Sequence, residues 1–582
     1  MKGKVMLKLL KYFKFNKVIV TSLVIVILLK TLGILYVPTL TASIVNNGVV
    51  KGDMDYVLKT GGIMIGVAIL TGILAILSTY LSANLSAALS RDMRRKIFLH
   101  SQKLSIEDYK KFSTSSLITR CTSDVNQVEN TVIMIFEMII PVPFITLIGM
   151  LLAFFKDKYM ALIILITGGS LLIFILLISK KVISLSIGMQ EELDKINSRV
   201  RQFISGIRII RAFNRDRYEK KLMDSTFESY ADINIKMNKI FAMGMPLILF
   251  ILNLCTVAIL WFGAVRINAG KMLVGDIMAV IEYSIIILVY LVMAVMVLMN
   301  LPRASACSKR ILEVLSYKPE IIDEKITNQI SNNKKVLEFR NVIFSYKDAQ
   351  EPVLKGINFT CESGKTTAII GATGSGKSTI AKLIPRLQDV KNGEILINDL
   401  NIKKFPQKDL RNSISFSPQK AFLFSGTIAS NIRHGKKDAT LEEIRSAAIT
   451  AQADNFIMDL KSDYDSIVSQ GGSNFSGGQK QRICIARALI KKSDIYVFDD
   501  SFSALDYSTD ARLRRAMKER LKDSIIITIA QRISTIMEAE QIIVLDKGQI
   551  VGKGTHKELM KNCSIYIEIA ESQLSKEELA NE

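Results

Sequence analysis

No Cys-x-x-Cys pair occurs anywhere in the chain, and its six cysteines (Cys121, Cys255, Cys307, Cys361, Cys484 and Cys563) are scattered. That pattern argues against a disulfide framework and a thiolate metal centre. The cysteines read as small core residues in a reducing compartment. No small-residue cleavage site follows a short apolar core near the start, so the lysine-rich stretch at 2–17 leads into a retained signal-anchor rather than a cleaved signal peptide. Nor does any nucleic-acid-binding motif accompany the formal charge of +22. A membrane protein with basic cytoplasmic loops accounts for that charge without nucleic acid.

What the chain has in abundance is apolar sequence: 49% hydrophobic residues and a mean hydropathy of +0.28. These residues concentrate in the first 300 positions, in runs long enough to span a bilayer. At 582 residues one core is too few, and two or three domains are expected. The runs predict six spans, at 18–38, 58–84, 131–155, 159–180, 243–265 and 277–301. Polar segments of about 45 and 60 residues separate spans two from three and four from five. Lys and Arg crowd the N-terminal tail and these two segments, whereas the short loops carry few, among them Lys51, Lys156, Lys158 and Lys271. The tail, the long segments and everything after span six are therefore placed on the cytoplasmic side of a plasma membrane. The long segments keep helical apolar spacing (Ile204, Ile207, Ile210), which predicts span helices that continue into the cytoplasm and turn back.

Lys30, Glu137 and Glu282 fall within spans. Either Glu137 and Glu282 line a transport pathway that favours cationic cargo, or they sit in interfacial turns or pair with Lys30. Pro141 and Pro143 are expected to kink span three. Residues 303–335 read as a polar connector with its clearest linker signal at 331–335, and from Val336 the pattern changes to the short strands and helices of an α/β domain. The expected domains are 1–320, a linker at 321–335, and 336–575.

The second half carries the chemistry. Gly371, Ala372, Thr373, Gly374, Ser375, Gly376, Lys377, Ser378 and Thr379 spell a phosphate-cradling loop between a buried strand (366–370) and the start of a helix (380–384). Glycines let backbone N–H groups converge on phosphate, Lys377 is placed to reach the β- and γ-phosphates, and Ser378 to ligate Mg²⁺. Tyr346 is suited to stacking on adenine. Gln419 ends a strand and offers an amide oxygen to the metal or its water. Phe475, Ser476, Gly477, Gly478 and Gln479 open a helix, where N–H groups and a hydroxyl make an anion site. Asp499 ends an apolar strand and suits Mg²⁺ held through water, and Ser503-Ala-Leu-Asp506 follows.

Ser-Gly-Gly-Gln with Gln481-Arg482 behind it, the strand ending in Asp499, and Ser-Ala-Leu-Asp506 resemble the nucleotide-binding domain of an ABC transporter. The six-span half resembles the half-transporters of the ABC exporter family, with Phe112–Arg120 and Gly206–Asn214 similar to its two cytoplasmic coupling segments, and Arg310–Leu315 similar to its connector. The resemblance covers essentially the whole chain. It implies an all-α six-helix transmembrane domain followed by an α/β P-loop ATPase domain, and two chains paired head to tail. Each ATP with its Mg²⁺ would then be sandwiched between one chain's phosphate loop and the other chain's Ser-Gly-Gly-Gln, with Asp506 among the nucleotide-binding residues.

The chain departs from that family at the water-activating positions. The family's Glu after the metal-binding Asp is here Asp500, one methylene short of the reach a general base needs. The switch-loop His is here Gln531, which hydrogen-bonds phosphate but carries no proton at neutral pH. His100, His434 and His556 do not occupy the motif. Gln470 stands where many exporters carry Glu. These departures point to the degenerate half of a heterodimeric exporter of amphipathic or drug-like compounds, partnered by a second half-transporter and by lipid, not by nucleic acid. The alternatives are a slow homodimer with Asp500 as a weak base, and an ATP-gated channel or sensor.

Overall fold

The computed structural model describes residues 3–13, 17–323, 335–347 and 349–574, so most of the linker expected at 321–335, including its strongest signal, lies outside the described residues. The chain divides into two compact units: Met1–Lys103 with Phe112–Lys318, and Leu104–Lys111 with Pro319–Glu582.

In the first unit six helices carry the apolar runs: Lys17–Val49, Met54–Ser101, Thr114–Lys156, Lys158–Ala212, Asp216–Asn268 and Val274–Leu315. Each is longer than the span it contains, because about 20 apolar residues cross a bilayer and the helical pattern does not stop there. Lys158–Ala212, at 55 residues, extends roughly 80 Å at 1.5 Å per residue. Helix starts are set locally. The Asp53 side chain accepts from Tyr56 N–H (3.0 Å) and that of Asp157 from Tyr159 N–H (2.8 Å), satisfying donors the helix leaves open. The fourth and fifth helices turn back at Asn214, which takes a φ of +53° that asparagine tolerates better than most residues. Apolar side chains such as Phe155, Trp261 and Ile76 are at least 72% exposed, the surface a lipid-facing helix presents. The inner seam is built from Leu35, Ile145, Ile259, Tyr283 and Ile287.

The prolines of span three coincide with an irregularity. Ile135–Ile139 forms a π-helical turn directly before Pro141, with Ile140 N–H reaching Ile135 O at 3.0 Å. Such an extra-residue turn re-pairs the backbone next to a residue that donates no hydrogen bond. Glu137 lies in this turn, and its Oε1 is buried without a hydrogen-bond partner among the described residues.

Among the described residues of the second unit, twelve strands form three sheets. β1 (Val336–Phe344), β2 (Leu354–Glu362), β4 (Asn392–Ile397) and β5 (Leu400–Asn401) make an antiparallel sheet in the order β2-β1-β4-β5. β3 (Thr366–Gly371), β6 (Ile414–Ser417), β9 (Ile495–Asp499), β10 (Ile525–Ile529), β11 (Gln541–Asp546) and β12 (Gln549–Gly554) make the larger sheet, in the order β12-β11-β3-β10-β9-β6. All of its pairings are parallel except that of β12. β7 (Gly426–Thr427) and β8 (Ile467–Val468) form a short pair. β9 and β10 are buried along their whole length, which explains sequences that are apolar but for Thr528 and the terminal Asp499. Parallel order brings the C-terminal ends of β3, β9 and β10 to one edge, where an open α/β sheet places its ligand site.

At one end of the first unit, Arg266 Nη2 and Nε bond Asp157 Oδ2 (2.5 and 2.9 Å), and Lys156 Nζ bonds Asp276 Oδ1 (2.7 Å). The Asp157 side chain is 3% exposed and that of Arg266 21%. Arg266→Met removes both guanidinium bonds and the only cation paired with the buried Asp157 carboxylate among the described residues, leaving it the Tyr159 N–H alone, and is expected to cost about 3 kcal/mol. Lys156→Met is expected to cost less, because Asp276 keeps its bonds from Asn46 and Leu273 N–H. Thermal melting of the detergent-solubilised chain checks the order; equal losses contradict it.

Candidate nucleotide-binding site

The loop after β3 is shaped by glycine where no side chain fits. A Cβ on Gly371 would lie 2.0 Å from Leu545 O, and one on Gly376 (φ +106°) would lie 2.6 Å from Leu354 Cδ2. Lys377, at the start of the helix Lys377–Leu383, turns its ammonium into the loop and donates to Gly371 O (2.6 Å) and Ala372 O (2.8 Å). Burial pushes its pKa below the ordinary lysine value. Ser375 is 3% exposed, yet its Oγ finds no partner among the described residues. A buried hydroxyl left open in the same loop as a buried ammonium fits a phosphate ligand.

Ser378 Oγ donates to Asp499 Oδ1 at 2.8 Å, so the two expected Mg²⁺ ligands already face each other. That hydroxyl–carboxylate pair is the hard oxygen set Mg²⁺ takes. Tyr346 OH contacts Thr379 Oγ1 (3.2 Å), which brings the expected adenine platform to the same loop, and Lys110 Nζ lies 5.0 Å from its ring centre.

Asp500 follows β9 at a φ of +50°, a left-handed conformation that Asp adopts more readily than Glu. Its Oδ2 accepts from Gln531 Nε2 (2.9 Å) and from Gln419 Nε2 (3.2 Å). Gln419 thus spends its amide nitrogen on Asp500, and its oxygen is the end left for a metal or water. Asp499 and Asp500 are 2% and 8% exposed, and burial raises the pKa of both carboxyls.

The remaining predicted residues form a second group. Ser476 Oγ accepts from Gln479 N–H (3.3 Å) while Gln479 Oε1 accepts from Ser476 N–H (3.0 Å), a reciprocal cap that opens the helix Gly477–Leu489 and leaves the Gly477 and Gly478 N–H groups without intrahelical acceptors. Asp506 caps the helix Tyr507–Arg520, its Oδ2 accepting from Ser508 Oγ (2.7 Å) and Thr509 N–H (3.0 Å), which holds the carboxyl well below the usual range. Gln481 Oε1 accepts from Ala504 N–H (3.1 Å) and joins the two stretches. No hydrogen bond or ion pair among the described residues links Phe475–Gln479 to the phosphate loop. Among the described residues these are two separate groups.

Sequence reasoning missed one element. Residues 104–111 cluster with the second unit, whereas Phe112–Arg120, expected to be the first coupling segment, lies in the first. The helix Ile106–Phe112 is capped reciprocally by Ser105 and Asp108 (2.9 and 3.2 Å), and Glu107 Oε1 accepts from Gln388 Nε2 at 2.7 Å. The Ser-x-x-Asp spacing was the available signal. The second expected segment, Gly206–Asn214, covers the last two turns of the helix that ends at Ala212 and the start of the turn that follows it, with Ile209 and Phe213 exposed.

A loop built to take phosphate, with hydroxyl and carboxylate paired beside it, defines a P-loop nucleotide-binding domain on a chain that also carries six membrane-length helices. Residues 20–291 match the family described as ABC transporter transmembrane region, and residues 354–503 the family described as ABC transporter. An uncharacterized ABC transporter ATP-binding protein of Mycobacterium tuberculosis is 36% identical over 566 residues, 95% of this chain and 96% of the relative. YfiB of Bacillus subtilis, another ABC transporter ATP-binding protein, is 36% identical over 93% of this chain and 94% of its own. An ATP-dependent lipid A-core flippase of Desulfotalea psychrophila is 33% identical over 81% and 82%. A bacterial Atm1-family ABC exporter solved with ATP bound shares the fold, with a TM-score of 0.81 and 23% identity over 96% of this chain and 98% of that one. The chain belongs to the ABC transporter family and joins a multi-pass membrane domain to an ATPase domain.

The raised carboxyl of Asp500 gives a signed prediction. A group that binds its proton more tightly folded than unfolded lowers stability as pH rises above its unfolded pKa. Asp500→Asn is therefore expected to raise the melting temperature of the nucleotide- and Mg²⁺-free chain at pH 7, with the gain shrinking towards pH 4. A gain that grows as pH falls contradicts the assignment.

Proposed function

We propose that this chain is the degenerate half of a heterodimeric exporter: it holds MgATP at its own site with little turnover, and its Ser476–Gln479 stretch completes the catalytic site of a different subunit. The observation that carries this reading is the environment of Asp500. The carboxylate is one methylene shorter than the family's Glu, and its Oδ2 is held by the amide hydrogens of Gln419 and Gln531. Neither amide accepts a proton at neutral pH. The residues that in this family prepare water for attack here hold one another.

The remaining groups are suited to binding. Loop N–H groups and Lys377 orient the phosphates, and Ser378 and Asp499 would hold Mg²⁺, which when bound neutralises charge on the β- and γ-oxygens. Separation of the two half-sites within one chain supports the need for a second chain, as do the exposed apolar side chains of Ile209 and Phe213 at the end of the helix Lys158–Ala212. Charge asymmetry of the loops supports cytoplasmic termini. The flippase named among the relatives favours an amphipathic cargo, and Glu137, with its unpartnered buried oxygen, is the better placed of the two span carboxylates to meet it. A slow homodimer has one observation in its favour: burial makes Asp500 a stronger base than an ordinary aspartate.

The full chain purified alone is expected to bind ATP with Mg²⁺ yet hydrolyse it slowly. Brisk turnover by that preparation overturns the heterodimer reading. Asp500→Glu combined with Gln531→His is expected to raise its turnover about 10²-fold, the lower end of what a positioned acid–base group contributes. Gln531→His alone is expected to do much less.

A further inference from the structure

The switch position is held from an unexpected direction. The helix Ser564–Glu571 docks through buried Tyr566 and Ala570 onto a cluster that includes Ile533, Ile536, Ile542 and Val544. Two residues past its end, the exposed side chain of Gln573 reaches back to the loop after β10. Its Nε2 donates to Gln531 O at 2.8 Å, and its Oε1 accepts from Ile533 N–H at 2.8 Å. One amide thus grips the backbone on both sides of Arg532, at the spacing by which a neighbouring strand would pair with an extended segment. The gripped loop carries two outputs. Gln531 Nε2 bonds Asp500 Oδ2 (2.9 Å), and Arg532 Nη1 lies 3.4 Å from Leu505 O, next to Asp506.

We propose that Gln573 is a positioning residue through which the C-terminal helix sets the switch loop, and that this brace governs how long ATP is retained at this chain's site. The proposal rests on reading residues 371–379 as the nucleotide site, not on the identity of a second subunit. A loop with one backbone conformation presents Gln531 to the phosphate end without first losing conformational freedom. Without the brace, the same side chain must be ordered each time nucleotide is held. Because Gln573 is exposed and the helix is anchored by its apolar face, the amide can be altered without removing the packing beneath it.

The test uses the full-length chain in lipid nanodiscs, with a fluorescent ATP analogue and Mg²⁺ as the probe and hydrogen exchange of the peptide spanning 530–537 as the second readout. Gln573→Ala removes both bonds. It is expected to speed exchange at Ile533 and to accelerate analogue release about 3- to 10-fold, the factor one hydrogen bond commonly carries, with melting temperature and association rate unchanged. Gln573→Glu keeps the acceptor and loses the donor, and its protonated form restores a donor. Its release rate is expected to lie between those of Gln573→Ala and wild type at pH 8 and to move towards wild type as pH falls to about 4, where an exposed glutamate takes up its proton. Wild-type exchange and release in Gln573→Ala, or a Gln573→Glu to wild-type ratio that ignores pH, overturns the proposal. So does faster exchange spread over the whole of 564–574 with a lowered melting temperature, since that is loss of docking. A wild-type chain that binds no analogue overturns the nucleotide reading and the retention claim with it, while the exchange at Ile533 still decides whether the brace exists.

Discussion

Two adjacent carboxylates at the end of one buried strand constrain everything around the nucleotide site. Asp499 and Asp500 are kept from water by the strands that flank them, so each must be met by a donor or hold its proton. Asp499 is met by the Ser378 hydroxyl and Asp500 by two side-chain amides. The parallel order of β3, β10 and β9 makes this possible, because it delivers the phosphate loop, the switch loop and the acidic strand end to one edge. A fold that supplied the carboxylates without the donors would carry two buried charges in repulsion.

The same economy governs the membrane half. Its helices satisfy their own backbone groups, so irregularity is tolerated only where a neighbour or a π-turn re-pairs what is freed. The Ile135–Ile139 turn before Pro141 is such a place, and it holds a carboxylate oxygen with no hydrogen-bond partner among the described residues. At one pair of helix ends Asp157 and Arg266 bring two opposite charges together in a partly dry site.

Legibility in the sequence followed from how local each signal is. The phosphate loop reads directly, since glycine, lysine and serine at fixed spacing meet a local backbone demand, and the apolar runs read as spans because the bilayer sets their length. Helix continuation beyond the spans was legible from Ile204, Ile207 and Ile210, but not its extent, because solvent-exposed helix leaves a weaker pattern. The helix Ile106–Phe112 was missed although Ser105 and Asp108 announced it; the more conspicuous Phe112–Arg120 stretch next to it drew the assignment. Gln573 gave no signal at all. Its role depends on a docked helix bringing residue 573 to residues 531 and 533, and nothing in a run of polar residues near a C-terminus encodes that. Asp500 lies between these cases: its shortened side chain was plain in the sequence, whereas the two amides that occupy it are a property of the folded loop.

The reciprocal cap at Ser476 has a consequence for what the helix start can bind. With one lone pair of its oxygen engaged by Gln479 N–H, the hydroxyl faces outward chiefly as a proton donor, flanked by two glycine N–H groups that only donate. A surface made of donors suits an anion and, with no acceptor among these three groups, has nothing to offer a cation.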